Sequence, residues 1–257
     1  QESPTNSGRF RPSSCPQYGG LMQEVKTCWI CRSEPATTGE HKWPHSYLRK
    51  YHANDWSELQ HGRWDGHRFN TKASNSKNLK HSVLCPRCNN ERTAPQDRAL
   101  NAFVTYLEDN HDTVLATRTI SLTDALGTHE PLNFYRALLK LEFSRLSDDQ
   151  LDISPEVADF VLGSEAWEAA NSKTRIEFRI AEEMVPRGLG DPFETDAPFY
   201  EDPYFVSHQI NFGWFGVHYL YTPQQRPDLP WPRWETESVS LSSKGFDSRP
   251  GQLFPEL

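Results

Sequence analysis

Long hydrophobic runs are absent from this 257-residue sequence, and that absence bounds its class. No apolar stretch approaches the ~18 residues that a membrane-spanning helix needs, so we expect no membrane partner. Residues 1–20 also lack the charged start and the apolar middle of a signal peptide. With 36% hydrophobic and 24% charged residues, the composition is typical of a soluble globular chain rather than a disordered one.

Cysteine is scarce, with five residues in the chain, but four of the five are paired by their spacing. Cys28 and Cys31 form one C-x-x-C turn, Cys85 and Cys88 form a second, and Cys15 stands alone. Two such turns indicate a metal site rather than a disulfide framework, which favours a reducing, cytoplasmic setting.

The two cysteine turns are separated by 53 residues, so one bound ion would tie distant parts of the chain together. Four thiolates in this pattern favour tetrahedral zinc, and metal binding would then contribute directly to folding. A four-thiolate site has no open coordination position, so we expect this zinc to be structural rather than catalytic. The alternative is a pair of buried cysteine turns without metal.

Positive charge is concentrated in one segment of an otherwise acidic chain. The net charge is −8, yet residues 25–100 contain 13 lysines and arginines against 7 acidic residues. Six of the ten histidines fall in the same segment. A basic segment beside an acidic one suits phosphate contact by one part of the molecule only, although ordinary variation in surface charge is the alternative interpretation.

The pattern along the chain predicts four regions. Residues 1–24 form a flexible N-terminal arm, and residues 25–110 form a unit rich in Cys, His and basic residues that a helix at 96–108 closes. Residues 111–222 form an acidic α+β accessory domain, and residues 223–257 form an extended, proline-rich segment on the surface. In that last segment we expect Trp231 and Trp234 to be anchors.

Within the accessory domain, periodicity and turn residues predict specific elements. We expect an amphipathic helix at 131–146 and a second helix that begins at Ser154-Pro155 and stops at Gly163. Alternation predicts a strand at 174–181, and alternation over 205–221 predicts hairpin-like pieces that Gly213 and Gly216 interrupt.

A short acidic-histidine motif lies between the two cysteine turns. It reads Thr38-Gly39-Glu40-His41-Lys42-Trp43-Pro44, and the second turn is followed directly by Asn89-Asn90. The order C-x-x-C, acidic residue and His, then C-x-x-C-Asn resembles the HNH (ββα-metal) endonucleases, in the variant where Asn replaces the last His. Residues 75–98 also resemble a group of bacterial HNH-like proteins. The resemblance covers about residues 25–105, a third of the chain.

The resemblance implies a zinc-stabilised ββα-metal nuclease domain followed by the acidic α+β domain. It implies that His41 is the general base, because a neutral imidazole can take a proton from water near pH 7. It also implies that Glu40 and Asn89 are oxygen ligands of a catalytic Mg²⁺ or Mn²⁺ ion. The substrate would be DNA, with RNA as the alternative, and the setting would be bacterial defence or restriction.

The motif departs from the family at several positions. Glu40 replaces the commoner Asp, and the insertion between His41 and Cys85 is longer than in compact members. Asn75 and Asn78 are both candidates for the middle Asn that fixes the hairpin, but neither has the usual spacing to the following Cys, so that role stays open. Two further histidines stay open: His45 assists at the metal or lies in a solvated loop, and His81 is structural or faces phosphate.

Several side chains are candidates for nucleic-acid contact. Five basic residues near the motif could bind the phosphate backbone: Lys42, Lys77, Lys80, Arg87 and Arg92. Three nearby tryptophans are expected in the core rather than stacked on bases: Trp43, Trp56 and Trp64.

Two other functions remain open. One is a catalytically inactive, zinc-stabilised module that only binds nucleic acid. The other is an adaptor whose acidic C-terminal region recruits a protein partner or forms a homo-oligomer.

Overall fold

The computed structural model describes residues 26–56, 60–62, 68–71, 73, 76–164, 167–190, 192–194, 206–222 and 234–243. The predicted N-terminal arm, with Cys15, and most of the predicted C-terminal segment, with Trp231, lie outside the described residues. So do Trp64 and Asn75.

The described residues up to position 110 form two small antiparallel sheets and two α-helices, and in the sheets β1 pairs with β4 and β2 pairs with β3. In chain order these elements are β1 (Thr38–His41), α1 (His45–His52), β2 (Gln60–Gly62), β3 (Arg68–Asn70), β4 (Lys80–Leu84) and α2 (Ala94–Asp109). A 3₁₀ turn at Lys77–Leu79 leads into β4, and a π-helical turn at Cys88–Arg92 leads out of the second cysteine turn towards α2.

The described residues from position 111 onwards form five α-helices and all six strands of one sheet. The helices are α3 (His111–Thr117), α4 (Leu122–Leu126), α5 (Pro131–Asp148), α6 (Pro155–Leu162) and α7 (Trp167–Asn171). The strands are β5 (Thr119–Ser121), β6 (Thr174–Ile180), β7 (Pro192–Glu194), β8 (Val206–Phe212), β9 (Phe215–Tyr221) and β10 (Ser238–Ser242). Their order in the sheet is β5-β10-β6-β9-β8-β7, with β10 and β6 parallel and the other pairs antiparallel.

Helix α5 is the centre of the molecule, because every residue from Phe134 to Leu146 is buried. On one side it packs against β4 and the first cysteine turn, where Trp29 Nε1 donates a hydrogen bond to Ser144 Oγ at 3.2 Å. On the other side it meets the six-stranded sheet, where Glu142 Oε2 lies 2.6 Å from His208 Nδ1. A helix buried all round joins two layers, so one hydrophobic core runs across the predicted boundary at residue 110. The division into two domains stays a prediction.

The predicted elements of the described residues are largely confirmed. The helices predicted at 96–108 and 131–146 are α2 and α5, and each is slightly longer than the predicted range. The helix predicted to start at Ser154-Pro155 is α6, and Gly163 ends it with a positive φ of 109°. The strand predicted at 174–181 is β6. Within the described residues, no helix has both the length and the apolar character needed to cross a membrane.

One glycine prediction is wrong. Gly213 makes the turn between β8 and β9 with φ 57°, but Gly216 lies inside β9 and does not interrupt it. A Cβ atom at Gly216 would lie 2.6 Å from Asn211 Oδ1 and 2.7 Å from Gln209 Nε2. The residue is therefore a glycine because neighbouring side chains cross over it, and not because the chain turns there.

The prediction of a purely surface segment at 223–257 is also wrong for its described part. Strand β10 lies inside the main sheet between β5 and β6, with Val239 and Leu241 buried. Trp234 is the anchor that was expected, because its ring stacks on that of Tyr135 at 5.1 Å. Trp43 is buried and Trp56 packs against the core, which confirms the predicted place of both.

Candidate metal centre and adjoining acidic pocket

The four paired cysteines come together in space. Their sulfur atoms all lie within 4.8 Å of one another, and the Sγ atoms of Cys31 and Cys85 are 3.8 Å apart. Cys28, Cys85 and Cys88 are buried, whereas Cys31 is half-buried. Four thiols at such spacing can hold a metal ion such as zinc.

The backbone of each cysteine turn explains this convergence. In the first turn, Arg32 adopts a left-handed conformation with φ 55°, and its amide donates to Cys28 O at 2.8 Å. In the second turn, the amide of Cys88 donates to Cys85 Sγ at 3.3 Å. A hydrogen bond between the side chains of Cys28 and Cys88 is the main cause that lowers the pKa of Cys28 to about 5 and raises the pKa of Cys88.

The hairpin of β1 and β4 places the acidic-histidine motif next to this cluster. Glu40 pairs with His81 and His41 pairs with Lys80, but the register shifts between Thr38 and Glu40. Such an irregularity redirects side chains, and bulges of this kind are frequent beside functional sites. Gly39 lies at the shift, where a Cβ atom would approach the side chain of Lys80 to 3.0 Å, so a larger residue there would displace that side chain slightly.

Asn89 contacts the same hairpin, although it is distant from β1 in the sequence. It lies in the π-helical turn directly after the second cysteine turn, and its Nδ2 donates to Gly39 O at 3.3 Å. Because the amide nitrogen is used in this bond, the amide oxygen is on the other side of the group. The motif residues Glu40, His41 and Asn89 line one pocket. Their order in the sequence alone could not establish this.

This pocket has a volume of about 560 Å³. The rings of His41 and His45 stack at its wall, with centroids 4.9 Å apart and planes 21° from parallel. Partial burial, assisted by the charges of Arg49 and Lys80, lowers the pKa of His45. The lining consists of Thr38, Gly39, Glu40, His41, Pro44, His45, Ser46, Lys80, Asn89, Asn90, Asp97, Leu100, Asn101 and Leu141.

Glu40 is held by a lysine that comes from the centre of the fold. Its Oε2 lies 3.1 Å from Nζ of Lys140, whose side chain is 1% exposed on α5. The same Nζ contacts Asp97 Oδ1 at 2.9 Å and Oδ2 at 3.1 Å. Asp97 lies in the first turn of α2 and is 45% exposed, so it faces both the buried ammonium and the pocket.

The protonation of this trio follows from burial and charge. Burial raises the pKa of Glu40 to about 7, and the ammonium of Lys140 opposes that rise only in part. For Lys140, burial favours the neutral amine, but Glu40 and Asp97 together outweigh it and the pKa is raised. Lys140 is therefore a cation at neutral pH, where Glu40 gains or loses its proton.

The candidate basic residues occupy different places. Lys80 lines the pocket, and Lys77 and Arg87 are exposed. The backbone amide of Lys42 donates to Leu79 O, which closes the hairpin. Arg92 lies next to the cysteines, with Nη1 3.9 Å from Cys88 Sγ. The structure thus brings one of the five, Lys80, into the pocket.

The structure describes some, but not all, of the histidines and asparagines whose roles the sequence left open. His81 is buried, and its Nδ1 lies 3.2 Å from Asp148 Oδ2 at the end of α5. This contact favours its structural interpretation. Asn78 lies in the 3₁₀ turn before β4, and Asn75 is outside the described residues.

Asp97, which lines the pocket, and Lys140, which is buried behind it, are charged residues of this site that were not predicted from the sequence. Asp97 lies eight residues after Asn89 on the next helix, and this short distance was the available signal. Lys140 is 100 residues from Glu40 and sits in a helix whose apolar periodicity does not mark it.

A second polar cluster crosses the six-stranded sheet. Ser207 Oγ lies 2.8 Å from His218 Nε2, and His218 Nδ1 lies 3.6 Å from Glu177 Oε2. The Glu177 carboxylate already contacts Arg175 and Arg179, the latter at 2.8 Å. We interpret the cluster as an ion network that links β8, β9 and β6.

Comparison of the chain with family models, with curated proteins and with solved structures finds no match in any of the three.

Proposed function

We propose that this chain is a metal-dependent endonuclease of the HNH type that hydrolyses phosphodiester bonds in DNA. The observation that carries the proposal is the convergence of Glu40, His41 and Asn89 on one pocket beside the four-cysteine cluster. The order of the elements also supports it, because an antiparallel hairpin is followed by the helical segment that carries Asn89.

In this proposal His41 is the general base. Its place on the pocket wall, stacked on His45, is suitable for taking a proton from a water molecule that attacks phosphorus. Lys80 lines the same pocket and would attract the phosphate, while Lys42, Lys77, Arg87 and Arg92 would contact more distant phosphates of DNA. RNA has the same backbone charge and is the alternative substrate.

The donor atoms of the pocket fit a hard divalent cation. Glu40 offers carboxylate oxygens and Asn89 an amide oxygen, which are ligands that Mg²⁺ and Mn²⁺ prefer over thiols. When bound, such an ion would stabilise negative charge on the phosphate and the leaving oxygen. Within the described residues, the four cysteines are the only group of three or more Cys, His, Asp or Glu side chains whose ligand atoms lie that close together.

The cysteine cluster would hold structural zinc in this proposal. A closed thiolate site keeps the β1–β4 hairpin and the turn with Asn89 in register, so the first metal supports the geometry at the second. The cellular setting that the resemblance implies is bacterial defence or restriction, in the cytoplasm.

One observation favours a different function. The carboxylate of Glu40 is bound by Lys140, an arrangement that satisfies the charge of Glu40 without a divalent ion. A catalytically inactive, zinc-stabilised module that binds nucleic acid or recruits a protein partner is therefore the second candidate.

A plasmid-nicking assay in Mg²⁺ or Mn²⁺ separates these candidates. We expect wild-type protein to cut DNA and His41→Ala to lose activity by about 100-fold or more, because general-base catalysis contributes that much. His129→Ala is the matched control, since His129 lies in the α4–α5 connection outside the pocket and should cut like wild type. DNA binding without cleavage in either metal would favour the second candidate, and full activity of His41→Ala would show that the base is misassigned.

A further inference from the structure

The strongest unexplained feature of the pocket is the lysine behind it. Lys140 is almost fully inaccessible, yet its Nζ contacts Glu40 at 3.1 Å and both oxygens of Asp97 at 2.9 and 3.1 Å. Burying an ammonium ion is costly unless partners compensate for the lost water. The fold accepts this cost at the point where β1, α2 and α5 meet.

We propose that Lys140 is a positioning residue of the divalent-metal site and that Asp97 is the second carboxylate of that site. This inference rests on the proposed function. The ammonium of Lys140 binds the carboxylates of Glu40 and Asp97 at the same nitrogen atom. The oxygens of the two acids therefore lie close to each other. Asp97 also lines the pocket, and it is the more exposed of the two acids.

The charges of the trio determine how strongly a divalent ion binds. Two carboxylates and one ammonium leave a net charge of −1 when Glu40 is ionised. Without Lys140 the same two acids would present −2 to the pocket. Because a cation bound to Glu40 is repelled by the nearby ammonium, Lys140 orients the ligands and at the same time weakens the metal affinity.

This dual effect separates a positioning role from a structural one. A lysine that only stabilised the fold would change the free energy of unfolding but not the affinity for metal in the folded protein. A lysine that repels the metal ion has a more specific consequence. Its removal tightens metal binding, while removal of the Asp97 charge weakens metal binding.

The test is Mn²⁺ binding to zinc-loaded protein, measured by the electron paramagnetic resonance signal of free Mn²⁺. We expect Lys140→Met to bind Mn²⁺ about tenfold more tightly, as removal of one positive charge about 6 Å from a divalent ion predicts in a water-like dielectric. We expect Asp97→Asn to bind at least about tenfold more weakly, because a ligand carboxylate contacts the ion directly. Lys173→Met is the matched control, since Lys173 pairs with Glu156 at 3.1 Å outside the pocket. Its Mn²⁺ affinity should equal that of wild type.

The outcomes distinguish this inference from the proposed function. If wild type binds Mn²⁺ but Lys140→Met does so equally or more weakly, the role of Lys140 is wrong and the nuclease proposal stands. If Lys140→Met does not fold by circular dichroism, Asp97→Asn decides, because Asp97 is partly exposed: unchanged affinity overturns the inference. If wild type binds no Mn²⁺ beyond its zinc, both proposals fail.

Discussion

The cysteine cluster and the acidic pocket are neighbours, but they are built in different ways. All four thiols come from two short turns, and each turn supplies two of them through local backbone hydrogen bonds. The pocket instead takes Glu40 from β1, Asp97 from α2 and its counter-charge from Lys140 in α5. One group of residues is brought together by local sequence and the other by tertiary packing.

This difference has a consequence for what each site can bind. The thiols are mostly buried and close together, which suits a metal that stays with the fold. The pocket is more open, and its acids are already paired with an internal cation, which suits an ion that exchanges with solvent. Under the proposed function, a permanent and an exchangeable metal site would lie side by side, and the following changes should affect them separately.

The largest effect is expected from Cys88→Ser. Structural zinc contributes about 10–16 kcal/mol to the folding of small zinc domains, which exceeds the net stability of many proteins. We therefore expect the variant to lose zinc and its cooperative thermal transition, measured by elemental analysis and circular dichroism. Cys15→Ser is the matched control and should keep both; a Cys88→Ser protein that melts like wild type would rule out a metal-dependent fold.

Lys140→Met should have the next largest effect on stability. The change leaves the buried carboxylate of Glu40 and its neighbour Asp97 without their cation, which typically costs about 3–5 kcal/mol. Urea unfolding at pH 8, where Glu40 is ionised, measures this loss. Lys173→Met removes a more exposed ion pair and should cost less than about 1 kcal/mol. Equal losses of stability in the two variants would mean that the buried trio contributes no more to folding than the more exposed ion pair.

The pH dependence of Glu40 should give a smaller effect. Its pKa rises from 4.5 to about 7 on folding, so between these values the unfolded chain releases a proton that the folded chain retains. The contribution of Glu40 to stability is therefore greatest below pH 4.5 and falls as the pH rises to 7. Relative to Glu40→Gln, wild type should lose up to about 3 kcal/mol across this window in urea unfolding. A constant difference between the two proteins from pH 4.5 to 7 would contradict the raised pKa.

The same contrast explains which features could be predicted from the sequence. The cysteine turns, Asn89 beside Cys88, and helices α2, α5 and α6 are local patterns, and the structure confirms where they lie. The apolar period of α5 marks the expected core positions. It does not mark Lys140, whose burial arises only because a second layer covers the other side of the helix.

Two other features escaped prediction for the same reason. Strand β10 is five residues long and has only Val239 and Leu241 as apolar residues, too few to show a strand pattern. Its place inside the sheet depends on β5 and β6, which are distant in sequence. Gly216 looked like a break because glycine is common in turns, but the requirement there is space for the side chains of Asn211 and Gln209.

The most direct test of the two proposed metal sites is one titration with Mn²⁺ in which zinc content and DNA cleavage are both measured. Purified protein is dialysed to remove loosely bound ions, and zinc content and DNA cleavage are then measured as Mn²⁺ is added. We expect a single retained zinc per chain throughout, no cleavage before Mn²⁺ is added, and cleavage that grows with Mn²⁺ while zinc stays constant. Zinc-loaded protein that cuts no DNA at any concentration of Mn²⁺ or Mg²⁺ would contradict a catalytic role for the acidic pocket.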